Sequence, residues 1–127
     1  MPINSKQKGK RGELRIVHAL QEYGFDAHRT AQCRGDTGEA ADVEIKGFDC
    51  KLHIEVKNCN RMQLYNWIAQ ADRDSKAQNK GNTPIVIHKA DNKPILVSMH
   101  FEDFMDMYIK SIGGVPDYES NRTETEV

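Results

Sequence analysis

The amino-acid sequence predicts a single α/β domain in the order α-β-β-β-α-β-β-α, with a central mixed sheet flanked by helices. Two observations carry this prediction. The chain has 127 residues, 38% of them hydrophobic and 29% charged, which suits one globular domain. Its apolar residues recur at helical spacing in three stretches and form short alternating or continuous runs in five others. No linker or internal repeat divides the chain.

The first helix is predicted between about Gly9 and Tyr23. Its apolar residues recur three and four positions apart, as a helix packed on a core requires. These residues are Leu14, Ile16, Val17, Leu20 and Tyr23. Gly24 fits the left-handed position that commonly follows the last turn of a helix.

Three strands are predicted next. Residues 25–31 form the first, and a loop rich in Gly, Asp and Thr follows over residues 32–40. Residues 41–46 and 51–57 both alternate apolar and polar side chains, which indicates half-buried strands. The short segment 47–50 between them predicts a hairpin with a four-residue loop.

The second helix is predicted over residues 61–79, followed by an apolar strand over 83–89 and another over 95–99. One side of that helix carries Leu64, Ile68, Ala71 and Ser75. The last helix covers residues 101–112 and stops at a pair of glycines. Four of its residues are predicted to lie in the core: Phe101, Phe104, Met105 and Tyr108.

Charge is distributed unevenly although the net charge is only −1. Residues 1–18 carry a net charge of +4 and residues 117–127 a net charge of −3. We therefore expect a flexible basic arm over residues 1–8, a folded domain over 9–112 and a flexible acidic tail over 113–127. The arm could contact phosphates. The alternative is that both ends only keep the protein in solution, which we prefer for the acidic end.

The sequence shows no apolar run long enough to cross a membrane and no secretory signal, so a cytoplasmic protein is expected. The three cysteines are Cys33, Cys50 and Cys59. They include no C-x-x-C pair, and three reduced thiols are the simplest interpretation. A zinc site formed with His53 stays open, although it lacks the usual close spacing of ligands.

The hairpin is where chemistry is predicted. With the loop at residues 47–50, Lys46 lies opposite Lys51 and Asp42 lies opposite Glu55, and the apolar residues of both strands fall on the other face. The polar face then gathers Asp42, Glu44, His53, Glu55 and Lys57.

An Asp directly opposite a Glu is unfavourable, because like charges at about 5 Å repel each other. The pair Asp42 and Glu55 becomes favourable if a hard divalent cation such as Mg²⁺ or Mn²⁺ binds between them. Lys57 follows Glu55 on the same face and can reach a phosphate oxygen near such a cation. The alternative is a solvated acidic face that Lys46, Lys51 and Lys57 simply neutralise.

The chain resembles the PD-(D/E)XK nuclease superfamily, and within it the small archaeal-type Holliday junction resolvases and their phage-encoded relatives. The resemblance covers roughly residues 9–110. It consists of "GKRGELRIVHAL" on the first helix, "AADVEI" and "HIEVK" on two strands, and "WIAQA" on the next helix. The order of these motifs is more specific than any one of them, and it implies a restriction-endonuclease-like fold.

By this resemblance, Asp42 and Glu55 would be metal-binding carboxylates, with the carbonyl of Val56 as a further ligand. Lys57 would be the catalytic lysine. Gln70 would be the glutamine of the helix after the active strand, although a surface glutamine without a role is a nearly equal alternative.

Glu13 matches the helix glutamate that completes the metal site in resolvases. The alternative is an exposed acid that pairs with Lys10 or Arg15. The candidate DNA contacts are Lys8, Lys10, Arg11, Arg29 and Arg34. As a group they suit contacts to phosphates, and the alternative for any one of them is a solvated surface charge.

The resemblance implies a Mg²⁺- or Mn²⁺-dependent DNA endonuclease that acts on branched or four-way DNA. It also implies a homodimer. The protein is expected in the cytoplasm, and a phage-encoded protein would act in that of the host cell. Trp67 and the last helix could help to form the dimer interface. Two alternatives stay open: a nicking or restriction-type nuclease, and a DNA-binding module without catalysis.

Overall fold

Alternating apolar residues build a five-stranded mixed sheet in which the strands follow one another in chain order. The computed structural model describes residues 5–30, 40–47 and 51–114. Its elements are α1 Ser5–Glu22, β1 Asp26–Arg29, β2 Val43–Lys46, β3 Leu52–Asn58, α2 Leu64–Gln78, β4 Thr83–Lys89, β5 Leu96–Ser98 and α3 Phe101–Ser111. Both the predicted element order and the α/β class are confirmed.

The direction of the strands follows from the length of their connections. β1, β2 and β3 pair antiparallel, as do β4 and β5 across a short turn. β3 and β4 pair in parallel, because α2 carries the chain back across the sheet between them. The sheet is therefore mixed, as the sequence predicts.

Two clusters of apolar side chains cover the two faces of the sheet. Ile85 and Ile87 of β4 lie in the cluster that includes Ile16 and Val17 of α1. Val86 lies between them in the sequence and packs instead with α2. Because neighbouring residues of a strand point to opposite faces, α1 and α2 cover opposite sides of the sheet.

The first helix begins earlier than the sequence predicts. α1 begins at Ser5, so residues 5–8 of the predicted arm are helical, while residues 1–4 lie outside the described residues. At its other end, Gly24 has φ +94° and donates its N–H to the carbonyl of Gln21, while Phe25 donates to Leu20. This bonding pattern ends the helix as the glycine predicts. Tyr23, predicted to lie beside the apolar stripe, is exposed.

Gly12 allows α1 to lie directly against the end of β3. A Cβ atom at this position would stand 2.6 Å from the Cβ of Asn58. Asn58 also donates a hydrogen bond of 3.0 Å to the carbonyl of Lys8, one turn earlier in the same helix. Gly12 and Asn58 therefore set how closely Glu13 approaches the hairpin.

We expect Gly12→Ala to destabilise the protein by about 1–3 kcal/mol, because α1 must move away from β3 to make room for the methyl group. Gly9→Ala is the matched control in the same helix, since nothing lies within 4 Å of its added Cβ. That control should stabilise the protein by about 0.5–1 kcal/mol, the usual gain of Ala over Gly in a helix. Chemical denaturation measures both values, and equal effects of the two substitutions would contradict the close contact.

The last helix differs from the prediction that its aromatic residues lie in the core. Phe101, Phe104 and Tyr108 are about half exposed or more, and Ile109 is the buried residue of α3. Conversely Trp67, considered for a dimer interface, is buried against Val86. The reason is that α2 covers β3 and β4, so Trp67 on its inner side is enclosed, whereas α3 follows the edge strand.

Some predictions fall outside the described residues. They concern Cys33, Cys50, most of the loop over 32–40, the tip of the hairpin and the acidic tail after residue 114. Cys59, which is described, is a free thiol. None of the described helices is long and apolar enough to cross a membrane.

Candidate active site

The hairpin has the register that the sequence predicts. Val43 pairs with Ile54, so Asp42 lies opposite Glu55. The backbone N–H of Asp42 donates to the carbonyl of Ile54 at 2.9 Å, which holds this end of β2 against β3. The two carboxylates therefore lie side by side on the face of the sheet that α2 covers.

This polar face is not a solvated one. His53 and Glu55 are each only 2% exposed, beneath α2. A hydrogen bond of 2.8 Å joins His53 Nε2 to Glu55 Oε1 and fixes the orientation of the carboxyl group. The alternative of a solvated acidic face neutralised by lysines is therefore wrong for Glu55.

A hydrogen bond from β3 holds Asp42 in place, and the surroundings of this residue raise its pKa. Its Oδ2 accepts a hydrogen bond of 2.8 Å from the backbone N–H of Val56. Burial raises the pKa of Asp42 to about 8, and the neighbouring charge of Glu55 adds to the rise. The carboxyl of Glu13 also raises this pKa, which places Glu13 within electrostatic reach. Ionisation of Asp42 beside the buried Glu55 is therefore unfavourable unless a cation binds between the two carboxyl groups.

The donor set fits a hard divalent cation. Adjacent carboxylates of Asp42 and Glu55 supply the oxygen ligands that Mg²⁺ and Mn²⁺ prefer, and Mg²⁺ commonly binds through one or two carboxylates while keeping several waters. Among residues 5–30, 40–47 and 51–114, no cluster of three His, Cys, Asp or Glu side chains accompanies them. A cation at this pair would thus rely on water and backbone oxygens for its other ligands. The carbonyl of Val56 stays a prediction as one of these.

Glu13 lies near the carboxylate pair, but its side chain is already in an ion pair. Its Oε1 accepts a hydrogen bond of 2.8 Å from Nε of Arg29, and both side chains are mostly buried. Neither Lys10 nor Arg15, the partners considered from the sequence, makes this ion pair. Glu13 as a metal ligand and Arg29 as a DNA contact stay predictions, since in this structure each side chain satisfies the other.

Lys57 projects from β3 on the same face as Glu55, two residues further along. Its Nζ donates a hydrogen bond of 2.8 Å to Oε1 of Gln70 on α2. Gln70 is therefore more than a solvent-exposed helix residue, because it holds the lysine in place. His88 is the neighbour of Lys57 on β4, and burial lowers the pKa of this histidine, which favours an uncharged ring beside the lysine.

Two contacts in the site are not predicted by the sequence: His53 with Glu55, and Arg29 with Glu13. His53 was placed on the polar face, but its contact with Glu55 was not foreseen, although strand alternation does put both on one face. Arg29 was assigned to DNA and not to Glu13. That pairing joins a strand to a helix, and the sequence offers no local signal for it.

Three of the five predicted DNA contacts, Lys8, Lys10 and Arg11, lie in the first turns of α1. Lys10 and Arg11 are exposed and Lys8 is half-buried, so these side chains leave a basic surface on the first turns of the helix. Arg34 lies outside the described residues. The roles of these residues in binding DNA stay predictions.

A mixed sheet with α1 and α2 on opposite faces, and with an Asp, a Glu and a Lys on neighbouring strands, defines the restriction-endonuclease-like class of nucleases. The family described as "Phage putative PDDEXK endonuclease" matches residues 4–125, nearly the whole chain. The chain belongs to this endonuclease family.

A solved structure is also similar to this chain. It is Hjc from Archaeoglobus fulgidus, a Holliday junction resolvase from an archaeal hyperthermophile. The two share 24% sequence identity with a TM-score of 0.52, over 71% of this chain and 70% of the other. At this identity the likeness supports the fold alone. No curated protein matches the chain.

Proposed function

We propose that the protein is a Mg²⁺- or Mn²⁺-dependent DNA endonuclease that hydrolyses phosphodiester bonds in branched DNA. The observation that carries the proposal is the pair Asp42 and Glu55, adjacent and largely buried, with Lys57 fixed beside them by Gln70. A structural role explains this arrangement poorly, because burial, together with the neighbouring charge of Glu55, raises the pKa of Asp42 to about 8. Cation binding removes that conflict.

Each residue of the site has a distinct task. Asp42 and Glu55 would hold the cation, His53 keeps Glu55 in its orientation, and the N–H of Val56 keeps Asp42 in place. A bound divalent cation would polarise the scissile phosphate and lower the pKa of a coordinated water. The protein itself fixes the positions of these side chains, so the reacting groups have lost most of their orientational freedom before the reaction begins.

Lys57 supplies a second positive charge. Its ammonium, held by Gln70, stabilises the negative charge that develops on the phosphate during cleavage. Because the lowered pKa of His88 favours an uncharged ring, this neighbour on β4 does not place a second positive charge beside the ammonium of Lys57. Lys57 is thus the proposed catalytic residue, and Gln70 the residue that positions it.

Branched DNA as the substrate is supported by the likeness in fold to Hjc, which is described as a Holliday junction resolvase. Cutting two strands of a junction symmetrically requires two active sites related by a twofold axis, so we propose that the protein acts as a homodimer. The basic surface on the first turns of α1 would contact the phosphate backbone.

The test is cleavage of linear, nicked, flapped and four-way DNA by the purified protein in Mg²⁺, in Mn²⁺ and in EDTA. We expect cleavage in either metal, loss of cleavage in EDTA and preference for the four-way substrate. Asp42→Asn, purified in the same way, excludes a contaminating nuclease. Equal cutting of linear and branched DNA would instead favour a restriction-type or nicking enzyme. Binding without cleavage under every condition would indicate a DNA-binding module.

A further inference from the structure

Two exposed apolar side chains lie at the start of α2. Tyr65 is 91% exposed, the highest value among the large apolar residues that the structure describes, and Met62, just before the helix, is 58% exposed. A single exposed apolar side chain needs no explanation by itself. The indication of a role comes from where these two residues lie in the fold.

The path of the chain places both residues at the edge of the sheet that carries the candidate active site. Lys57 is the last residue but one of β3, and α2 then runs back across the sheet to the start of β4. The first turn of α2 therefore lies at the edge where β3 ends. Asp42 lies at this edge too, because β2 is antiparallel to β3 and Asp42 comes just before it. Gln70, which holds Lys57, follows Tyr65 by about 7.5 Å along the helix axis.

Tyr65 points away from the core of the protein. The buried residues of α2 are Trp67, Ala71, Asp74 and Ser75. Tyr65 comes two residues before Trp67, so it lies about 200° around the helix from that buried ring. Side chains of a helix also lean toward its N-terminus, which directs Tyr65 toward the edge of the sheet and not back along α2. Its ring is thus free to contact a partner that approaches the active-site edge.

The segment before α2 is held in place, so these side chains project from a fixed base. Nδ2 of Asn60 donates a hydrogen bond of 2.9 Å to Oδ2 of Asp91, and the N–H of Asp91 donates one of 2.7 Å to Oδ1 of Asn60. The N–H of Cys59 donates to the carbonyl of Lys89 at 3.1 Å. Because these bonds tie the segment to the end of β4, a partner that binds here spends little free energy on ordering it.

The same edge is basic. The pKa of Asp91 is lowered first by its hydrogen bond with Asn60, and further by the charges of Lys8, Lys89 and Arg15. These three side chains belong to α1 and β4, so two elements bring positive charge to this edge. Such a surface attracts the phosphates of nucleic acid. An exposed aromatic ring beside a basic surface is the combination with which proteins bind unpaired bases.

We propose that Tyr65, with Met62 beside it, stacks on a base of the DNA substrate at a branch point, while the basic edge binds the adjoining phosphates. Inside a continuous duplex both faces of each base are covered by its neighbours, so a projecting ring finds a free face only if the duplex is unstacked. At a branch point the stack opens at lower cost, and a tyrosine ring accepts any base, because every base has a π face. The inference rests on the proposed function, since it takes DNA as the substrate.

The proposal is tested by binding of the full chain, in Ca²⁺, to a fluorescently labelled four-way junction and to a linear duplex with the same arm sequences. Tyr65→Ala should weaken binding of the junction by about tenfold, as loss of one base stack does, and binding of the duplex by less than about twofold. The salt dependence of binding should not change, because no charge is removed. Tyr65→Phe should bind the junction like the wild type, since it keeps the ring.

Tyr23→Ala is the matched control. Tyr23 is 83% exposed, but it follows the last residue of α1, about 15 Å along the helix axis from Gly12, where α1 meets the active-site edge. This change should leave binding of both DNAs unaltered. Lys89→Ala should instead weaken both and lower the slope of the salt dependence by about 1, which distinguishes a phosphate contact from a stacked base.

Two results would overturn the proposal, provided that circular dichroism shows the variants folded. One is a Tyr65→Ala variant that binds the junction as tightly as the wild type. The other is an equal loss of binding to junction and duplex, which would indicate a contact that needs no exposed base. Either result leaves the proposed endonuclease function intact, whereas a wild type that binds no DNA overturns that function as well.

Discussion

Asp42→Asn is expected to abolish cleavage and at the same time to stabilise the metal-free protein. The amide cannot carry the charge that binds the cation, so we expect the single-turnover rate to fall by about a thousandfold or more. In the absence of metal the folded protein holds a proton on Asp42 at neutral pH, because burial and the charge of Glu55 raise its pKa to about 8. The amide removes the free-energy cost of binding that proton. An unfolding midpoint higher by on the order of 5 °C is therefore expected at neutral pH in EDTA.

The stability gain depends on pH in a defined direction. The pKa of Asp42 is raised in the folded protein from 3.8 to about 8. Between these values the unfolded chain is ionised at this residue while the folded protein holds the proton, so the unfolded state binds fewer protons. The stability of the wild type in EDTA should thus fall as pH rises from about 4 to about 8, and this dependence should flatten in Asp42→Asn.

Asp26→Asn serves as the control, since Asp26 is an exposed aspartate at the start of β1. It should change neither cleavage nor the unfolding midpoint appreciably. The measurements are thermal unfolding in EDTA across this pH range and junction cleavage in Mg²⁺. An Asp42→Asn variant that cleaves at the wild-type rate would show that the site is misplaced. One that is inactive but less stable in EDTA would show that Asp42 does not destabilise the metal-free fold.

Lys57→Ala is expected to slow cleavage by on the order of a hundredfold while leaving metal and DNA binding intact. The carboxylates that hold the cation are unchanged, and DNA affinity is distributed over many phosphate contacts. What is lost is the ammonium that Gln70 holds at 2.8 Å beside the site. Its stabilisation matters when negative charge develops on the phosphate, so the loss should appear in the chemical step.

Single-turnover cleavage of a saturating four-way junction in Mg²⁺, alongside binding in Ca²⁺, separates the two steps. Lys57→Arg should not restore the rate, because a planar guanidinium cannot occupy the position of a compact ammonium. Lys46→Ala, which removes an exposed lysine of β2, is the matched control. A Lys57→Ala variant that cuts as fast as the wild type would rule out the assigned role.

Gln70→Ala is expected to reduce the cleavage rate by an intermediate amount, and it tests whether Gln70 positions Lys57. Without the acceptor on α2, the ammonium of Lys57 stays in the site but is less well placed, so the rate should fall less than in Lys57→Ala. In the background of Lys57→Ala, a further Gln70→Ala change should have little effect, because the two residues act through one contact.

The hairpin and its register were accessible from the sequence alone. Side chains alternate along a strand, so the apolar set that includes Val43 and Ile54 can face the core in one register only. That register places Asp42 opposite Glu55 and Lys57 on the same face. The element order followed in the same way, because helical and alternating periodicities are local properties of the chain.

Burial and partners of the site were decided by the tertiary structure. The sequence left open whether the polar face meets water, since that depends on where α2 lies after the crossover to β4. The pairing of Glu13 with Arg29 joins residues 16 positions apart on different elements. Nothing in the local pattern distinguishes Arg29 from Lys10 or Arg15 as the partner.

The last helix is the clearest case in which the tertiary structure, and not the sequence pattern, decides which residues are buried. Its stripe of Phe101, Phe104 and Tyr108 has the periodicity of a helix that covers a core, and this periodicity predicts that these residues are buried. In the folded chain they lie exposed beside the edge strand β5. An apolar stripe shows that a helix needs a partner, but the periodicity is identical whether the partner is the same chain or another one. Only the positions of α2 and the sheet decide which of the two covers it.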